Sequence, residues 1–293
     1  MPDGGLFVAN LVEQLLNALA LAGLLFLVSA GLSLVFGVLR VVNFAHGVFY
    51  MLGAYLGFTA VALSGYFWLA LLVAPPIVGV IGALLEASTL RFIYRRDPSY
   101  QLLLTFGLAL ILEESVRILY GNTAKSVDAP LALQGGVALL GTVYPRYRLF
   151  LVVLGIAVGV AVWLVLQRTR AGLVIRAVAQ NSEMADCLGA DVTRVRTLVF
   201  GAACALAGLG GVAAAPMTSA YLGMGISVIV DAFVVVVIGG LGSIVGSMAG
   251  SLIVGAAQTW GAFYLPETAM VIIYAVMGVL LIFRPWGLFG EEE

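Results

Sequence analysis

The sequence predicts an all-α polytopic membrane protein with about eight to ten transmembrane segments, some of them interrupted. Three observations carry this. The chain of 293 residues is 62% hydrophobic and 10% charged, against about 25% charged in an ordinary soluble domain. Its mean hydropathy is +1.13. Long apolar runs recur along it, and two of them are broken in the middle by glycine and polar residues. Such a composition leaves too little polar surface for a soluble domain, so residues 1–293 read as one transmembrane domain with a polar segment at 168–196.

Other classes are excluded by what is missing. The net charge is −1, so no field points to nucleic acid. The single lysine, Lys125, stands in GNTAKSVD and belongs to no phosphate-binding loop. No metal-ligand cluster and no nucleophile-with-base pattern is seen. The chain therefore reads as a non-enzyme without cofactor or metal. Cys187 and Cys204 show no disulfide spacing and read as small packing residues. The first apolar run lacks a basic lead and a cleavage signature, so it reads as a retained span.

A first span is expected over Leu11–Ser29, with Glu13 and Asn17 near a hydrated start. The second region, Gly31–Ala62, is too long for one straight span and carries Arg40, Asn43, the only histidine (His46) and Gly47 in its middle. Gly65-Tyr66 makes a turn. A third span, Phe67–Phe92, contains Pro75-Pro76 and should kink. It exits through Arg91, Arg95, Arg96, Asp97 and Pro98. The fourth segment, Tyr100–Tyr120, holds Glu113, Glu114 and Arg117 at spacings that allow local pairing.

Gly121–Arg148 is a polar link. A fifth span covers Phe150–Leu166. The polar segment Arg168–Arg196 follows, then a Gly/Ala-rich sixth span, Leu198–Ala215, suited to close helix packing in lipid. Pro216–Gly225 reads as a loop. Ile226–Gly261 is apolar but interrupted by Gly239-Gly240-Leu241-Gly242-Ser243, and Asp231 is expected at its helix N-terminus, where an acid suits the dipole. The last span is Ala269–Phe283. If spans alternate, nine of the 14 basic residues fall on the side of Arg168–Arg196. The positive-inside rule makes that side cytoplasmic.

Broken helices free backbone groups that only protein or a wet cavity can satisfy at membrane depth. One break in each half is the sequence pattern of a transporter pathway. Asn43, His46 and Gly47 in the first break, and Gly239, Gly240, Gly242 and Ser243 in the second, are the candidate pathway residues. The alternative is that the glycines only help packing. His46 is either a neutral, hydrogen-bonded structural residue or a relay or solute contact. No second histidine or carboxylate chain accompanies it, which argues against a proton-driven pump.

Within 168–196, Asn181 or Ser182 can cap a short helix that ends at Gly189. Met184, Cys187 and Leu188 share one side of it, which suggests a docking surface. An ordinary solvated loop is the alternative.

Asn43–Gly47 (NFAHG), Tyr50–Tyr55 (YMLGAY), Gly31-Leu32, Phe36-Gly37 and the ending Arg284–Gly290 (RPWGLFG) resemble the H-type permeases of bacterial branched-chain amino acid ATP-binding-cassette importers. Glu183-Met184-Ala185 with Gly189 resembles the coupling loop of such permeases. The resemblance spans essentially the whole chain. Val48 stands where many relatives have an acid, and Met184 where the triplet has alanine.

The resemblance implies a type II importer-like permease, multi-pass in the bacterial inner membrane and embedded in the lipid bilayer. It implies a second related permease, two cytoplasmic ATP-binding subunits coupled at Glu183, Ala185 and Gly189, and a periplasmic solute-binding protein that delivers leucine, isoleucine or valine. Urea, short amides or other amino acids are the alternative solutes. A stand-alone secondary transporter or channel is the remote one.

Overall fold

The computed structural model describes residues 3–94, 96–139 and 142–290. Arg95 of the expected basic exit lies outside them. The chain starts with one continuous helix, α1 (Asp3–Leu39). At 1.5 Å per residue it is about 55 Å long, well beyond the thickness of a bilayer core. The expected boundary near Ser29 is absent: Gly31 does not stop the helix. It lets the helix pack closely instead, since a side chain there would meet the Ala203 carbonyl oxygen at 2.6 Å and the His46 ring at 2.9 Å.

The interruption falls at residues 40–45, and α2 (His46–Ser64) follows. His46 and Gly47 thus open a helix rather than sit in the break. Gly65, with φ 75°, ends α2 as a left-handed cap. The third expected span is α3 (Phe67–Ser88), with Pro75 and Pro76 inside it, and a 3₁₀ turn at Leu90–Phe92. Asp97 starts the next helix as well as ending the exit: its side chain accepts from the Ser99 N–H at 2.8 Å, with Pro98 at the first position of α4 (Pro98–Tyr120). That bond holds the Asp97 carboxyl below its ordinary range. Arg117 pairs with Glu114 at 2.6 Å on the exposed side of α4, the local pairing that the spacing allows.

The link after α4 contains an antiparallel hairpin, β1 (Gly136–Leu139) with β2 (Thr142–Pro145), a small addition to a helical architecture. Lys125 and Ala220 exchange backbone hydrogen bonds at 2.8 Å and tie this link to the loop at 219–223. Then come α5 (Arg146–Arg168), α6 (Arg170–Gln180), α7 (Ser182–Cys187) and α8 (Val192–Thr218). Helix α8 runs through Pro216 to Thr218, so the expected loop is shorter than Pro216–Gly225. A proline removes one helical donor, and the Tyr147 hydroxyl adds one to that turn by donating to the Ala213 carbonyl at 2.7 Å. The chain ends with α9 (Met224–Gly239), α10 (Ile244–Tyr264) and α11 (Ala269–Phe283).

Among the described residues, five helices are long and apolar enough to cross a membrane: α1, α2, α3 with its 3₁₀ turn, α5 and α8. A sixth crossing is available if α9 and α10, bent by 117°, count as one. This is fewer than the eight to ten segments expected. Helix α4 carries three charges, α11 has 15 residues, and residues 30–39 extend α1 instead of forming part of a second segment. The all-helical, polytopic, interrupted character is as expected.

The core lies where α1, α2, α3 and α8 meet. Val28, Val35, Phe49, Met51, Ala74, Val78, Phe200, Ala203 and Ala207 are buried there. The small residues of α8 allow this, since lipid offers no hydrophobic drive for helix association and close backbone approach must supply the attraction. Cys204 is free and buried in the same layer, and a side chain at Gly82 would collide with it.

Candidate functional site

Both interruptions pack against the C-terminal third of α1. In the first, Arg40 takes a left-handed backbone (φ 54°), rare for a non-glycine residue, and its side chain is exposed. Asn43 is fully buried. Its Oδ1 accepts from the Ala45 N–H at 3.1 Å, an Asx turn that carries the chain into α2. Phe44 N–H donates to Thr105 of α4 at 3.3 Å, and the Phe44 ring packs on Phe233 of α9 at 5.4 Å. His46 is fully buried, and its Nε2 lies 3.1 Å from the Val28 carbonyl oxygen. A carbonyl only accepts, so Nε2 carries the proton. His46 Nδ1 and Asn43 Nδ2 have no partner among the described residues. Gly47 sits backbone to backbone on Gly225: a side chain there would overlap the Gly225 carbonyl and come within 2.8 Å of Ile229 Cβ.

The second interruption spans residues 240–243. Gly240 has φ 102°, a conformation that other residues avoid. The carbonyls that end α9 are satisfied by the C-terminal segment: the Leu288 N–H donates to Ile238 O and the Phe289 N–H to Gly239 O, both at 2.9 Å. Gly287 and Gly290 press directly on Gly240. Ser243 caps α10 by accepting from the Gly246 N–H at 3.0 Å. Its carbonyl accepts from Ser33 of α1 at 3.2 Å and from the Ser247 hydroxyl at 3.0 Å, and Ser247 also lies 2.9 Å from Ser33. Gly242 touches Gly37. One helix, α1, thus bears on both breaks.

The polar segment forms the capped helix that its sequence suggests. Asn181 Oδ1 accepts from the Met184 N–H at 2.9 Å, and the chain leaves α7 through Gly189 at φ 89°. Ala185 is buried at 4% exposure, whereas Met184 (58%) and Leu188 (81%) point outward. The apolar side of α7 is therefore free rather than packed on its own chain. Glu183 and Gly189 are exposed beside it.

Two clusters escaped the sequence reading. Glu86, in α3, is fully buried. It accepts from the Tyr94 hydroxyl at 2.6 Å and the Thr197 hydroxyl at 2.5 Å, with Arg91 at 3.8 Å. Burial, and then the bond to Glu86, push the Tyr94 hydroxyl above its ordinary value, so it remains a donor. This joins the exit of α3 to the start of α8, the helix that follows α7. The second cluster is Asn17, whose Oδ1 receives both the Tyr144 hydroxyl (3.1 Å) and Arg148 Nη1. No local pattern marked the links between elements, because Thr197 lies 111 residues from Glu86, and Tyr144 and Arg148 lie 127 and 131 from Asn17. Asp231 differs from expectation. It stands in the middle of α9, not at its N-terminus, on the side of Gln258 of α10.

A helical membrane protein with two protein-sealed helix breaks and an outward-facing capped helix on its arginine-rich segment has the form of a transport subunit. The chain belongs to the family described as branched-chain amino acid transport system / permease component, whose model matches residues 14–282. It is 28% identical to the high-affinity branched-chain amino acid transport system permease protein BraD of Pseudomonas aeruginosa, with 98% of each chain covered. It is 29% identical to LivH, the corresponding permease protein of Salmonella typhimurium, over 96% of each. It is also 28% identical to a probable branched-chain amino acid transport permease protein LivH of Methanocaldococcus jannaschii, over 98% of this chain and 96% of that one. No solved structure matches the chain.

Proposed function

We propose that this chain is the transmembrane subunit of an ATP-binding-cassette importer that moves branched-chain amino acids across the bacterial inner membrane. It pairs with a second, related permease. Two cytoplasmic ATP-binding subunits drive it, and a periplasmic binding protein delivers the solute. The observation that carries the reading is the family match over residues 14–282, and the outward Met184 and Leu188 on α7 support it. The ATP-binding subunits dock on α7, where Glu183, Ala185 and Gly189 transmit their motion. The two breaks form a packed wall of the pathway, with Asn43, His46 and Gly47 from one and Gly239, Gly240, Gly242 and Ser243 from the other.

Gly189 gives a direct test. Its φ of 89° suits glycine, so Gly189→Val strains the exit of α7 by about 1–2 kcal/mol. A side chain there meets nothing within 4 Å, so the variant inserts normally. Leucine uptake by the reconstituted importer falls severalfold while ATP hydrolysis continues. Unchanged uptake removes the docking role. Co-purification with the ATP-binding subunits and the partner permease, then uptake of labelled leucine and urea, tests the whole reading. Uptake by the isolated chain in liposomes would overturn it.

A further inference from the structure

A cavity of ≈ 540 Å³ opens at the end of the bundle away from α6 and α7. Its walls come from the first two thirds of α1 (Gln14, Asn17, Leu24), the start of α5 (Arg148) and the end of α10 (Gln258, Phe263). The size suits one small ligand. Its lining combines amides and a guanidinium with the apolar Leu24 and Phe263. Arg148 is half-buried and donates through Nη1 to Asn17 Oδ1. The Tyr144 hydroxyl takes the other lone pair of that oxygen. Arg148 has no carboxylate within ion-pair distance among the described residues.

Arg148 is the third residue of α5, at the edge of the bundle, and an arginine turned into a cavity there tends to pair. Here the chain itself supplies an amide but no counter-charge. A guanidinium with donors to spare matches a carboxylate in a planar, two-pronged geometry. We propose that Arg148, with Gln14 and Gln258 beside it, receives the carboxylate of a zwitterionic amino acid, while Leu24 and Phe263 hold its aliphatic side chain. This rests on the importer reading and narrows the solute: urea and short amides carry no carboxylate and have no use for an unpaired guanidinium.

The test uses the assembled importer. In liposomes with saturating binding protein, Arg148→Gln lowers leucine turnover about tenfold, the worth of one good charged contact of about 1.4 kcal/mol, and Arg148→Lys restores part of it. Asn17→Ala, which removes the internal acceptor but leaves the guanidinium, does less harm than Arg148→Gln. Equal losses in the two variants, or wild-type turnover in Arg148→Gln, would overturn the proposal and leave Arg148 a helix-positioning residue. Wild-type importer that takes up urea but no leucine refutes the importer reading itself, a distinct outcome.

A binding measurement covers a variant that fails to assemble. In nanodiscs without binding protein, saturation-transfer NMR of the wild-type complex shows leucine displaced by isovalerate, which keeps the carboxylate, and not by isopentylamine, which lacks it. Displacement by both alike, or by neither, also overturns the proposal.

Discussion

The two helix breaks solve one problem in opposite ways. Each frees backbone groups inside the membrane, and each has them satisfied by protein. The first is closed from within: Asn43 bonds Ala45 two residues on, and His46 bonds Val28 of the preceding helix. The second is closed from a distance: the N–H groups of Leu288 and Phe289 seal α9 across some fifty residues of chain. A local closure survives wherever its short sequence survives. A remote closure makes the C-terminal segment part of the break. RPWGLFG is therefore structural in a stated sense: glycines at 287 and 290 let its backbone reach Gly240.

The largest effect is expected from removing that remote closure. Deleting residues 284–290 leaves the Ile238 and Gly239 carbonyls without donors, at about 1–3 kcal/mol each. It also exposes the underside of α9, where Leu288 packs on the cluster of Val235 and Ile238. The truncated chain should unfold well below the full chain in a detergent melting assay and fail to co-purify with the second permease proposed above. If it melts like the full chain, the second break is closed locally too, and the contrast disappears.

Gly47→Val strikes the first break at its tightest point. A side chain there overlaps the Gly225 carbonyl, and backbone cannot give way as a side-chain tip can. Overpacking of this kind costs about 1–3 kcal/mol, sometimes more. A marked drop in melting temperature is expected, with a smaller drop for Gly47→Ala. Tolerance of valine would mean that α2 and α9 are not held together at this point.

Asn43→Ala sharpens the comparison further. It strands the buried Ala45 N–H, a loss of about 1–3 kcal/mol, but it also removes the partnerless Nδ2, which offsets part of that loss. A net cost of about 1 kcal/mol is expected, visible as a modest shift in melting. Asn43→Asp keeps the acceptor and should keep the turn, so equal damage from both substitutions would argue against the Asx closure.

How much was legible in the sequence follows the same division. The first break, the cap at Asn181, the stop at Gly189 and the second Gly-rich interruption were all readable, since each is written in a few adjacent residues. The length of α1 was misjudged because Gly31 and Gly37 look like breakers, whereas both are packing surfaces against α8 and residue 242. Asp231 was placed at a helix start because its apolar run begins beside it, yet α9 starts seven residues earlier. Glu86, Asn17, Arg148 and the clasp of the C-terminal segment on α9 depend on partners far apart in the chain, which periodicity and spacing do not reveal. The charge on Arg148 was noted only for orientation.

The smallest effect is expected where the two breaks share α1. Ser33 donates to the Ser243 carbonyl, and Ser247 reaches both Ser33 and that same carbonyl. The arrangement is redundant. In Ser33→Ala, Ser243 O still accepts from the Ser247 backbone N–H at 2.9 Å and from its hydroxyl, so no buried donor or acceptor is stranded. Interhelical hydrogen bonds in membranes average about 0.6 kcal/mol, so Ser33→Ala or Ser247→Ala alone should lower the melting temperature by about 1–2 °C. The double variant decides whether the serines act as one unit. Ser33→Ala already removes both bonds by which the serines join α1 to α10, and the Ser33–Ser247 bond is lost in either single variant, so the combined loss should fall short of the sum of the single ones. Strict additivity in that cycle would make each serine an independent contact.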